Sequence, residues 1–311
     1  MKTTYLFQPI LLAVALLLFT VPVLAQMQTI VDVKRSFSGI DKIEVSGGAL
    51  EIEYIGTTSS SDVSVNAFLE SNNPNQDIIF VTVGNVLKIT HKVTTSNWNN
   101  TRTKGHIKIA GPEGITLDMK GGSGSVKAEN VKSSETNLTV GSGNIHATNI
   151  QGDVNVSAGS GSLTLKSIQG NVKGQVGSGS ATFQDLRGNL SYSCSSGGVN
   201  ASQIAGMVDI RLTSGNAKLE NIGELGELKV TSGNINANNA GLGSNTSISG
   251  TSGNFKIQTN SNLREYNYRL SATSGNITVG NSKGGRNLTI DNGAAKDIRG
   301  SITSGNITIV N

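Results

Sequence analysis

The sequence is short of several residue types on which other classes of protein depend. Of its 311 residues, one is Cys, four are Pro, 4% are aromatic and 15% are charged. A single Cys excludes an internal disulfide and any zinc site built from several cysteines. Scarce Pro and the absence of Gly at every third position exclude collagen. The net charge of +4 is too small to favour a nucleic-acid partner.

Gly and Asn, by contrast, are abundant, with 39 and 33 copies. Both residues are poor formers of helix interiors, so a mainly helical fold is excluded. Hydrophobic residues make up 36% of the chain, and many of them are β-branched. This supply is enough to build a core and argues against intrinsic disorder. The composition therefore favours a repetitive, β-rich protein.

Residues 1–25 have the pattern of an export signal. A continuous apolar run over 10–19 is followed by Val23-Leu24-Ala25, which matches the small-x-small cleavage rule. Thr20 and Pro22 cut the apolar run below the ~18 residues that a membrane span needs. We therefore expect cleavage after residue 25 and no membrane span in the mature chain. The expected location is the cell surface, the medium or the periplasm of a Gram-negative bacterium.

A Ser-Gly dipeptide recurs through the C-terminal two thirds of the chain. The Ser of each copy lies at position 123, 142, 160, 178, 196, 214, 232, 252, 274 or 304. The spacing is constant from position 142 to position 232, and a period this strict is typical of a stacked solenoid. The gap between 274 and 304 is longer. It predicts a degenerate copy at Gly293, which follows Gly275 by one regular period.

The residues around each dipeptide show how one repeat is built. The second and fourth residues after the Gly are apolar in all ten copies, and the residue between them is polar. Alternation of this kind predicts a strand with one buried face. A second glycine, such as Gly206, then turns the chain into another alternating strand, as in Val208, Ile210 and Leu212. The Ser, Thr and Asn of the turns are predicted to form hydrogen-bonded ladders between repeats.

The predicted fold is all-β, a parallel β-solenoid (β-helix) of about eleven rungs with two short strands in each rung. The 18-residue repeats occupy 121–311, and an irregular β region occupies 26–120. Strands in that region are predicted at 42–45, 50–54, 63–69, 78–83, 86–92, 106–110 and 115–119. Two interpretations of 26–120 remain open. It forms either irregular opening rungs that cap the solenoid, which we favour, or a separate small β-sandwich.

The pattern of reactive residues gives no support for catalysis. His91, His106 and His146 are scattered and are expected on outward strand faces, so neither a metal, nor a cofactor, nor a catalytic residue is predicted. A β-helix carbohydrate-active enzyme needs paired carboxylates in one groove. The acids of this chain are instead spread over different rungs: Asp153, Asp185, Asp209 and Glu220. Cys194 aligns with an inward column and is expected to be a buried free thiol.

Two irregular segments contain the predicted contact residues. The longest of the clearly repeated rungs carries the densest aromatic and basic group of the chain: Arg264, Tyr266, Tyr268 and Arg269. Trp98 lies in an Asn-rich loop. Exposed aromatic rings stack on sugars or anchor partner proteins, so we expect a glycan or a cell-surface protein as the partner. The strand over 307–310 is expected to be an open edge, which allows end-to-end self-association.

Tandem S-G-[SN] rungs behind an export signal resemble a family of bacterial candidate adhesins of unknown function that includes the head GIN domain group. The Gly-Asn-Ile copies lie at 143–145, 233–235, 275–277 and 305–307, and the segments 37–45 and 107–112 are similar as well. The resemblance implies a parallel β-solenoid at the bacterial envelope and carries over no site residues.

Our hypothesis for the function is a non-enzymatic, adhesin-like binding surface at the bacterial cell envelope. The first alternative is a periplasmic structural or sensing scaffold that binds a protein partner. A β-helix carbohydrate-active enzyme is the less favoured alternative.

Overall fold

The structure is a computed structural model that describes residues 27–94 and 101–311. The predicted export signal and Trp98 lie outside the described residues. Within the described ranges the chain is almost entirely β, with one short 3-10 helix at Leu263–Glu265. No helix in this part of the chain is long and apolar enough to cross a membrane.

In the described part of the chain, eighteen strands form one continuous hydrogen-bonded sheet system. In chain order they are β1 (Gln28–Phe37), β2 (Lys42–Gly48), β3 (Glu51–Thr57), β4 (Val63–Ser71), β5 (Gln76–Val83), β6 (Val86–Val93), β7 (Thr103–Pro112), β8 (Thr116–Gly121), β9 (Val126–Val140), β10 (Ile145–Ile168), β11 (Val172–Leu186), β12 (Leu190–Thr259), β13 (Tyr266–Ser274), β14 (Ile277–Val279), β15 (Ser282–Gly284), β16 (Asn287–Ile290), β17 (Lys296–Ser304) and β18 (Ile307–Val310). All seven strands predicted before residue 121 are present, and β1 is an additional one.

The repeats stack in parallel with the predicted register. Leu163 pairs with Ala181, which pairs in turn with Val199, so each residue lies over its counterpart one period away. Every residue of the two apolar columns after the Ser-Gly dipeptide is buried, and so are Val208 and Ile210 of the second strand. The predicted β-solenoid with two inward-facing strand columns is therefore confirmed in the regular part of the chain.

Two columns of residues with positive φ make the corners of the tube. The Gly of the Ser-Gly dipeptide has a φ between 127° and 158° from Gly161 to Gly253. A second corner holds non-Gly residues, such as Asn149 with a φ of 55° and Asn221 with a φ of 56°. Asn tolerates this left-handed geometry because its short amide can hydrogen-bond locally. Because every rung turns in the same way at these corners, its backbone stays hydrogen-bonded to the next rung around the turn.

Asn side chains form a ladder along the first corner. The backbone N–H of Asn234 donates to Oδ1 of Asn216 over 3.0 Å, and Asn254 repeats the bond to Asn234 over 3.2 Å. The next bond runs from Asn306 to Asn254, and the last from Asn276 to Asn306. The predicted polar ladder is confirmed, and its final steps do not follow the order of the sequence.

The C-terminal strands are inserted into the stack rather than added to its end. β18 pairs in parallel with β12 on one side and with β14 on the other, and β17 lies between β12 and β13 in the same way. The prediction of an open edge at Ile307–Val310 is therefore wrong, because both sides of that strand are already paired. The predicted degenerate copy at Gly293 is also wrong, since no neighbouring rung lies within 4 Å of its Cβ position.

The N-terminal end is built in the same interleaved way. β2 pairs in parallel with β6 and β8, and β3 pairs in parallel with β7 and β9. The first rung of the chain thus lies inside the stack, between two later ones. These parallel pairs join the irregular region to the regular rungs, whereas its assignment as opening rungs or as a separate domain stays a prediction.

Antiparallel strands cover the rungs at both ends. β5 pairs with β6, and β4 pairs with β7 and β1, at the N-terminal end. β15 pairs with β14, and β16 pairs with β13, at the C-terminal end. Such strands differ from the rungs in direction and length, so the parallel rungs themselves are not the outermost strands of the described sheet at either end.

Cys194 lies in the inward column opposite Val176 and is 4% exposed. We predict that a thiol reagent such as DTNB labels the native protein far more slowly than the denatured protein, because the reagent cannot reach a buried thiol. The rate of labelling with and without denaturant measures this directly. Rapid, complete labelling of the native chain would contradict the burial.

Candidate functional site

The two tyrosines predicted as contact residues lie inside the tube. Tyr266 is 3% exposed and Tyr268 is fully buried. Their hydroxyl groups donate to the carbonyl oxygens of Leu242 over 2.6 Å and of Leu263 over 3.1 Å, so each polar tip is satisfied internally. Burial raises the pKa of Tyr268. The expectation that these rings stack on a ligand is therefore wrong, because both rings lie in the core.

The two arginines of the same segment are exposed. Arg264 lies on the 3-10 helix, where Oδ1 of Asn262 accepts a hydrogen bond from its backbone N–H. The side chain of Arg269 is 56% exposed and lies 3.5 Å from Asp297 Oδ2 through its Nε atom. Their roles as partner contacts stay predictions, and they define a basic surface at the C-terminal end of the tube.

Arg299 lies on the same surface because β17, which carries it, is inserted between β12 and β13. It pairs directly with Arg269 on the neighbouring parallel strand and lies 3.2 Å from the same oxygen of Asp297. One carboxylate therefore faces two guanidinium groups. A hydrogen bond from Asn267 and the nearby guanidinium of Arg299 lower the pKa of Asp297, so it stays ionised at neutral pH. Sequence reasoning missed Arg299 because it lies far beyond Arg269 in the chain, outside the irregular segment.

Asn267 fixes the loop that leads into β17. Its side chain is largely buried and donates to Ala294 O over 2.7 Å and to Asp297 Oδ1 over 3.1 Å. Its own Oδ1 accepts bonds from the backbone N–H groups of Asn292 and Ala294. All four hydrogen-bonding positions of this amide are filled. The carboxylate between the two arginines is thus held by a rigid support.

A shallow groove runs along one side of the tube, across several rungs. It has a volume of about 460 Å³, and its lining includes side chains that are amide-bearing or cationic: Asn200, Asn216, Asn236, Asn238, Lys218 and Lys256. Amides and ammonium groups are ordinary hydrogen-bonding partners for sugar hydroxyls and for carboxylates. The groove reaches Lys256 on the strand column that follows the Ser-Gly corner, whereas Arg269 and Arg299 lie on the strand column that precedes it.

A second cavity, of about 440 Å³, lies at the N-terminal end between the turns at Gly48 and Gly122. Gln76 donates to Ser71 Oγ over 2.9 Å, and Ser71 in turn donates to a backbone carbonyl. This arrangement directs Oε1 of Gln76 at Nε2 of His91, 2.8 Å away. The histidine points into this cavity and not outward as predicted.

The histidines of this end make stability depend on pH. Burial lowers the pKa of both His91 and His106 below the usual value of about 6.5. Because the unfolded chain then binds protons more readily, the stability they contribute is present above pH 6.5 and is lost as the pH falls below it. We predict a lower Tm at pH 5 than at pH 7.5, measured by differential scanning fluorimetry. A H91Q/H106Q double variant should show a smaller difference.

The control for this pH effect is His146, which is exposed on a regular rung. The H146Q variant should keep the full pH dependence of the wild type. A wild-type Tm that does not change between pH 7.5 and pH 5 would contradict the prediction. A fall in the Tm of the H91Q/H106Q variant equal to that of the wild type would also contradict the prediction.

The scattered acids have structural partners. Asp153 accepts a hydrogen bond from the backbone N–H of Asn171, and Asp209 accepts one from that of Glu227, one rung away in each case. Glu220 lies 2.9 Å from Lys218. Within 27–94 and 101–311, no group of three or more His, Cys, Asp or Glu side chains is placed to hold a metal ion. These acids support the ladders and the surface ion pairs of the tube.

Comparison with known families decides the classification. The model of the family described as Toastrack DUF4097 matches residues 43–202 and, in a second overlapping match, residues 152–310. The chain belongs to the Toastrack DUF4097 family. Two overlapping matches in one chain are as expected for a periodic Toastrack sequence. Among curated proteins, no match is found.

Several solved structures are similar to this Toastrack chain over most of its length. The candidate adhesin from Parabacteroides merdae ATCC 43184 is 14% identical, with a TM-score of 0.37 over 92% of this chain and 97% of that one. The candidate lipid-binding protein from Parabacteroides distasonis ATCC 8503 is 16% identical, with a TM-score of 0.38 over 90% and 97%. The candidate cell adhesion protein from Clostridium sporogenes ATCC 15579 is 12% identical, with a TM-score of 0.23 over 89% and 98%.

The resemblance to bacterial candidate adhesins that the sequence suggested is confirmed at the level of the family.

Proposed function

We propose that this chain is an exported, non-enzymatic binding scaffold that makes adhesin-like contacts at the bacterial cell envelope. Its stacked rungs, spaced ~4.8 Å apart, act as a stiff spacer. The contact surface is the basic C-terminal end, with Arg264 and Arg269 as contacts. The observation that carries the proposal is the exposed arginine group on a rigidly supported, closed end of the tube.

The closed ends favour binding through side chains over binding through strand addition. An open sheet edge recruits any extended chain by its backbone groups, whereas a covered end leaves only side chains to choose a partner. A separate groove of Asn and Lys side chains along the tube also supports a polar partner such as a glycan or a glycosylated cell-surface protein. Family membership supports the adhesin-like character, and the predicted export signal supports a location at the envelope.

A glycan array and a cell-binding assay test this proposal. The mature chain, residues 26–311, is labelled with a fluorophore away from the C-terminal end and applied to the array and to intact bacterial and epithelial cells. We expect saturable binding to a defined subset of glycans and to cells that carry them. A folded chain that binds neither glycans nor cells at micromolar concentration would overturn the proposal and favour the periplasmic scaffold.

A further inference from the structure

The whole net charge of the chain is concentrated at its C-terminal end. Residues 251–311 contain seven Lys or Arg residues and three Asp or Glu residues, an excess of four, and the full sequence has 25 and 21, the same excess. The first 250 residues are therefore balanced in charge. All seven basic residues of the end are exposed: Lys256, Arg264, Arg269, Lys283, Arg286, Lys296 and Arg299.

The two paired arginines are an unusual feature of this end. Arg269 and Arg299 lie opposite each other on adjacent parallel strands, about 4.8 Å apart at the backbone, with side chains 56% and 72% exposed. Like charges in directly opposite positions destabilise a sheet. Asp297 neutralises one of the two charges, so one positive charge remains on the pair.

The fold itself does not need this pair. On the other side of Arg299 the same row of the sheet holds Ser247, and beyond Arg269 it holds Thr289. These small hydroxyl side chains occupy equivalent outward positions without any charge. Guanidinium groups at such positions add a forked set of donors that matches carboxylate, sulfate or phosphate oxygens.

We propose that the C-terminal end binds anionic polysaccharide, with Arg269 and Arg299 together forming a two-arginine site for its acidic groups. The shared Asp297 holds the two guanidinium groups side by side in the absence of ligand, so little side-chain entropy is lost on binding. Exposed Arg286, which lies beside β13, and exposed Lys296, on β17, add positive charge near the pair for a polymer chain to contact. This inference rests on the proposed function, because it names the partner chemistry of the same surface.

The test compares two variants with the same change of charge. The R269Q/R299Q variant loses the arginine pair. The K166Q/K173Q variant loses two exposed charges from the middle of the tube. Biolayer interferometry measures binding of each mature chain to polygalacturonate, to neutral dextran and to phosphatidylglycerol vesicles, at low and high NaCl. Hydrogen exchange confirms that both variants keep the wild-type fold.

The inference predicts binding of the wild type to polygalacturonate that weakens with salt, and no binding to dextran. R269Q/R299Q should weaken binding by about tenfold or more, and K166Q/K173Q by about twofold or less. Equal loss in both variants would overturn the inference, because general charge would then suffice. Preference for the vesicles would overturn it in favour of a lipid surface.

Two further outcomes separate the inference from the proposed function. Binding to neutral glycans on the array, with none to polygalacturonate, overturns the inference alone. The absence of binding to any glycan, vesicle or cell overturns both.

Discussion

The G197A variant is expected to lose at least ~3 kcal/mol of stability, a large effect for the addition of one methyl group. Gly197 has a φ of 145°, which residues with a Cβ rarely adopt. A Cβ at this position would also collide with the carbonyl group of Gly179 on the rung below. The backbone cannot yield without separating two rungs, since the same glycine column continues on both sides.

The adjacent glycine provides a matched control. A Cβ at Gly198 would meet only Asn216 O, at the ordinary contact distance of 3.5 Å. The G198A variant should therefore change stability by less than ~0.5 kcal/mol. Urea unfolding followed by circular dichroism compares the two variants. Similar urea midpoints for G197A and G198A would contradict the close stacking of the glycine corner on the neighbouring rung.

Removal of residues 296–311 is expected to release the whole C-terminal end. In the interleaved order, the described strands β13 and β14 pair with the body of the tube only through β17 and β18. Four buried Ile side chains leave with these strands: Ile298, Ile302, Ile307 and Ile309. Each contributes about 1.5–3 kcal/mol of burial. Amides of residues 266–290 should therefore lose their protection from hydrogen exchange, and the protection of 145–240 should persist.

The opposite result has an equally clear meaning. If the rungs stacked in the order of the sequence, the deletion would remove only a terminal strand, and 266–279 would stay protected against β12. Removal of residues 27–38 serves as the control, because β1 pairs with β4 alone among the described strands. That deletion should change protection near β4 only. Addition of a synthetic 296–311 peptide to the truncated chain should restore protection of 266–290.

The regular part of the fold could be predicted because its period can be read directly from the sequence. Each inward column repeats a residue type at a fixed spacing, and burial of the column is the only arrangement that removes it from water. Cys194 was correctly placed in this way. β1 was missed because it lies at the margin of the core. Only Val31 of β1 is buried, so its sequence shows little alternation of apolar and polar residues.

The ends could not be predicted, because spatial order there departs from sequence order. The Ser-Gly copy at residue 304 looks like one more rung in the sequence, and nothing in its residues shows that it pairs between Ser252 and Ser274. The insertion brings Arg299 beside Arg269. It also explains the tyrosines, which were predicted as exposed contacts because the segment is irregular. Departure from the period did not mean exposure, since Tyr266 and Tyr268 lie in the core.

Protease shaving of intact producing cells tests the central claim, a binding scaffold that meets its partner outside the cell. Cells are treated with a protease that cannot pass the outer envelope, and the chain is then detected with an antibody against the tube. We predict that the chain is digested while a periplasmic marker survives. Protection of the chain until the envelope is broken would contradict adhesin-like binding and would assign the scaffold to the periplasm.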